Sequence, residues 1–105
     1  MVDRRKGKRH EHEHASRHEA EFRVTARRNR LLGMWAAEVL GLAPEEREAY
    51  AKEVVVADLE MPGDEDVIRK VLSDFEKRGV ALSRDDMIKR LNVFAAEARS
   101  QLEAS

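Results

Sequence analysis

Cysteine is absent from this chain of 105 residues. That excludes a disulfide framework, a thiolate zinc site and cysteine nucleophile chemistry. Proline occurs twice and aromatic residues make up 5% of the chain. Such a composition lacks the turn residues and bulky strand formers that a sandwich or barrel uses, and suits a helical bundle with a thin apolar seam. Long hydrophobic runs are missing as well. The longest uncharged stretch runs from Leu31 to Ala37, far short of the roughly 20 residues that span a bilayer. The basic N-terminus has no apolar segment behind it, so it does not read as a secretory signal. The expected location is therefore the cytoplasm.

Charge, by contrast, is abundant. Charged residues make up 39% of the chain, with a net charge of -1. Residues 1 to 30 hold 10 Lys+Arg against 5 Asp+Glu, and residues 31 to 105 hold 10 against 16. A basic arm on an acidic body suits an arm that seeks an acidic surface. The plainer reading is a solvated tail.

Residues 1 to 21 contain only Met1, Val2, Ala15 and Ala20 as apolar groups. Such a segment buries too little to offset its ordering entropy and reads as disordered or as frayed helix. From His18 onward the pattern is helical. Phe22, Ala26, Leu32, Trp35, Val39 and Leu40 recur at near-helical spacing, and Gly41 suits the C-terminal stop. Pro44 opens a second helix, with Glu45 and Glu46 at its positive end and a stripe of Tyr50, Val54, Ala57 and Met61. Pro62-Gly63 breaks the chain. Asp64 is placed to cap a third helix with Val67, Val71, Leu72 and Phe75 inward, ending at Gly79. Ser83 with Asp86 starts a fourth, whose stripe is Met87, Leu91, Phe94, Ala98 and Leu102. The expected architecture is an all-α four-helix bundle over residues 22 to 105, with a flexible N-terminal arm over residues 1 to 21.

Every histidine of the chain lies in the arm, at His10, His12, His14 and His18. His10-Glu11-His12-Glu13-His14 matches the letters of the H-E-x-x-H zinc protease motif. Catalysis would need a rigid helix, a third ligand and a walled site, and a polar tail supplies none of these. On a helix, His10, His14 and His18 share one face at successive turns and would suit Zn²⁺ or Ni²⁺ without catalysis. A pH sensor is a third reading, since histidine titrates near pH 6.5 when unperturbed, roughly. A polar spacer is the plainest. Arg27-Arg28-Asn29-Arg30 is basic enough for phosphate, but its arginines point in different directions on a helix and Leu31-Leu32 follow at once. The cluster therefore reads as the rim of a buried face, and the acidic body disfavours nucleic acid. Trp35 reads as a core anchor. The carboxylates form no acid/base dyad spacing and no Gly-rich phosphate loop is present. The residues thus describe a binding module, not an enzyme, with no required cofactor.

Three blocks narrow the choice: Phe22-Arg23-Val24-Thr25-Ala26-Arg27-Arg28-Asn29-Arg30-Leu31-Leu32-Gly33, Trp35-Ala36-Ala37-Glu38 and Tyr50-Ala51-Lys52-Glu53-Val54-Val55. Together with Pro62-Gly63-Asp64-Glu65-Asp66-Val67, they resemble the zeta subunit of alphaproteobacterial F1Fo-ATP synthase. The resemblance covers about residues 22 to 105. It implies a four-helix bundle that inhibits ATP hydrolysis by F1, peripheral to the inner membrane. It also implies an N-terminal segment that becomes helical as it wedges between a catalytic α/β pair and the rotor γ. On that reading the contacts to F1 fall to Arg4, Arg5, Lys6, Lys8, Arg9, His10, His14, Arg17, His18 and Glu21. This chain departs from the family's pattern in the arm. Counted back from Arg27-Arg28-Asn29, the family's phenylalanine positions fall at His10 and His14, and a leucine-like position falls at Ala20. The alternative is a metal- or nucleotide-binding helical module without inhibitory activity. An adenine nucleotide held between helices near Trp35 and the arginines would belong to that alternative.

Overall fold

The computed structural model describes residues 2 to 60 and 63 to 104, with the side chains of residues 2 to 18 and of Glu60 outside the described set. The described residues form four helices: α1 Val2–Val39, α2 Pro44–Glu60, α3 Glu65–Lys77 and α4 Arg84–Ala104. No strand occurs among them. The expected all-α four-helix bundle is what the chain forms. The backbone of the arm belongs to α1 from Val2 onward, its mobility is untested, and Met61 and Pro62 fall on residues outside the described set. Among the described residues, no helix is long and apolar enough to cross a membrane.

Local signals set the helix ends. At the end of α1, Gly41 takes φ 76°, and the Gly41 and Leu42 amides donate to the Glu38 and Ala37 carbonyls. That paired closure needs a left-handed residue, which glycine adopts without strain. The same arrangement ends α3 at Gly79, with Val80 donating to Phe75. Ser83 caps α4 as expected, its Oγ accepting from the Asp86 amide at 3.1 Å. Asp64 behaves differently from expectation. It precedes α3, but its side chain makes no cap hydrogen bond. Its carboxylate instead accepts from Arg28 on α1 at 2.9 Å.

The core is one cluster: Leu32, Ala36, Ala37 and Leu40 from α1, Tyr50 and Val54 from α2, Val67, Ile68, Val71 and Phe75 from α3, and Met87, Leu91 and Phe94 from α4. Trp35 is half-buried against this cluster and meets Phe75 and Phe94 with ring centroids at 5.7 and 6.2 Å. Helix α1 is central and packs on both α2 and α4. Two expected core positions lie outside. Phe22 is 57% exposed and Val39 is 38% exposed. The small residues Gly33, Ala36 and Ala37 take the buried phase of α1 instead, because close helix packing favours short side chains there.

Candidate partner-binding surface

The arm's basic residues and histidines stand on the first half of α1, where side chains lie outside the described set. This applies to Arg4, Arg5, Lys6, Lys8, Arg9, His10, His14, Arg17 and His18. Glu21 is described and is exposed on α1. From Glu19 to Arg23 every residue is exposed, and among the described side chains of α1 the first fully buried one is Asn29. The start of the described side chains is thus a helix whose surface faces solvent, and the bundle takes hold one to two turns further on.

The arginine cluster rims the buried face, each member serving a different neighbour. Arg28 is largely buried; it donates from Nε and Nη2 to the Asn29 Oδ1 and from Nη2 to Asp64. Asn29, fully buried, has its polar atoms satisfied. Arg27 donates to Gln101 on α4 at 3.2 Å, and Arg30 donates to Glu48 on α2. Arg90 stacks over Trp35, its guanidinium carbon 4.8 Å from the ring centroid. The indole is thereby occupied by a cation and by the core aromatics.

A second polar group joins α2 to α3. The Tyr50 hydroxyl donates to Asp74 at 2.7 Å, and Lys70 reaches the same carboxylate at 3.2 Å and Glu53 at 3.6 Å. Burial, then the hydrogen bond to Asp74, push the Tyr50 phenol well above its ordinary range. The phenol is a donor held neutral, so the group ties two helices together. Sequence reasoning missed it, since residues 24 apart carry no local signal of contact. Glu65 and Arg84 form a bidentate pair that lowers the carboxyl and raises the guanidinium. Both are exposed, so the pair contributes little to stability. No cluster of metal-ligating residues stands among the described residues.

Fold and surface together define a small helical bundle whose first helix begins with a run of basic residues. Residues 1–101 match the family described as ATPase inhibitor subunit zeta. A protein solved by solution NMR is 43% identical, with a TM-score of 0.70, over 80% of this chain and 95% of that one. No curated protein matches the sequence. The chain belongs to the ATPase inhibitor subunit zeta family.

Proposed function

We propose that this chain blocks ATP hydrolysis by the F1 sector of a bacterial ATP synthase, inserting its N-terminal segment at an α/β–γ interface. The observation that carries the reading is that the family match takes in the arm as well as the bundle. The division of α1 agrees with it. Among the described side chains of α1, the fully buried ones begin at Asn29 and Glu19 to Arg23 are exposed, so this stretch is open to a partner while the second half of the helix is anchored. A wedge between stator and rotor stops turnover mechanically and needs no chemistry of its own. Arg4, Arg5, Lys6, Lys8 and Arg9 supply charge that an acidic groove attracts, and His10, His14, Arg17, His18 and Glu21 complete the contact. Placement is tested by a photo-crosslinking side chain at His14 in the full chain. Capture of β and γ is expected. Inhibition of hydrolysis without capture of either subunit would overturn the insertion.

A further inference from the structure

A groove lies at the root of the arm, where α1 meets α4. It has a volume of about 320 Å³ and is lined by Phe22, Arg23, Ala26, Arg27 and Arg30 of α1 and Leu102 of α4. Three guanidinium groups and no carboxylate face it. Arg23, Arg27 and Arg30 recur at i, i+4 and i+7, so they form one row along α1. Arg23 makes no hydrogen bond or ion pair among the described residues. Arg27 is bonded to the neutral Gln101 and Arg30 to Glu48, which leaves each with further donors. Phe22 stands beside the row, 57% exposed. On its other side lies a smaller concavity of about 220 Å³ lined by Val55, Asp58 and Leu59, with Leu59 58% exposed.

We infer that this groove is a second docking surface, which receives an acidic amphipathic helix of the ATP synthase. The inference rests on the function proposed above. Charge complementarity selects the occupant: a row of cations at helical spacing fits carboxylates one turn apart on a second helix. The apolar anchors select its other face, since Phe22 and Leu102 offer a surface for aliphatic side chains. The groove adjoins the arm on the same helix, so a partner held by the arm lies within reach. Arm and groove then divide the work: the arm obstructs, and the groove holds.

The test uses the full chain and isolated F1, with affinity measured over a range of salt and hydrolysis measured at saturation. In the variant Arg23→Glu/Arg27→Glu the dissociation constant should rise at least about tenfold and its salt dependence should flatten, while saturating chain still inhibits. Phe22→Ser leaves the charges alone and should weaken binding several-fold, so it decides the matter if the charge reversal disturbs folding. Unchanged affinity in both variants, with the native chain still inhibiting, would overturn the groove and leave the proposed function standing. A native chain that neither binds nor inhibits F1 would overturn both. Binding to phosphatidylglycerol vesicles that the charge reversal abolishes, with F1 affinity unmoved, would assign the groove to a lipid surface and overturn the inference.

Discussion

A β-carbon at Gly33 would lie 2.6 Å from the Cα of Ala51 and 3.3 Å from a methyl of Val54. The backbone of α2 therefore sits where any side chain on α1 would stand, and the obstacle is main chain, which cannot swing aside. Gly33→Ala gains about 1 kcal/mol of helix propensity. It also forces the two helices apart, an overpacking that costs about 1–3 kcal/mol. Urea denaturation is expected to find the variant less stable; a gain in stability would show that the helices can separate without loss. Tyr50 makes a prediction about pH. Its folded pKa is raised, first by burial and then by Asp74. The folded state keeps a proton that the unfolded chain gives up near pH 10. The stability linked to this proton is whole below about pH 10 and falls as pH rises beyond it. Denaturation curves across that range should fall more steeply for the native chain than for Tyr50→Phe. Parallel curves would mean that the phenol titrates freely in the fold. The chain has one tyrosine, so the phenolate absorbance reads the same event directly.

The four helices end where local chemistry tells them to. Gly41, Gly79 and Ser83 act through bonds to residues within a few positions, so their roles are legible in the sequence. Ser83→Ala removes the acceptor of the Asp86 amide and should cost about 1 kcal/mol in thermal or chemical denaturation. No change would show that water replaces the hydroxyl at no cost. Stripes on α3 and α4 were equally legible, because Val67, Val71, Phe75, Met87, Leu91 and Phe94 are large and keep helical spacing. Asp64 was not legible. Its capping position is local, but Arg28 competes for the carboxylate from 36 residues away. Helix α1 was half legible. Size favoured Phe22 and Val39 as core residues, yet Phe22 lies in the exposed stretch from Glu19 to Arg23, and Val39 lies on the open face of α1. The arginine row of the groove was half legible: helical phase sets Arg28 apart from Arg23, Arg27 and Arg30, but the concavity beside Leu102 and the pairing of Arg28 with Asp64 depend on contacts distant in sequence.

At the scale of the molecule, charge and packing are divided along the chain. The C-terminal half of α1 is the bundle's central helix, gripped by α2 and α4. Residues 1 to 30 have an excess of basic residues, 10 Lys+Arg against 5 Asp+Glu, and residues 31 to 105 carry the excess of carboxylates, 16 against 10. Among the described side chains, the buried core starts at Asn29, C-terminal to the arm. The same division means that removing the arm should abolish action while sparing the fold. The most direct measurement is ATP hydrolysis by F1 from the same source, titrated with the full chain and with a chain lacking residues 1 to 17. The full chain should inhibit saturably, and the shortened chain, with its helical circular dichroism intact, should leave hydrolysis running. Equal inhibition by both chains would contradict the account, because it would move the obstruction from the arm to the bundle.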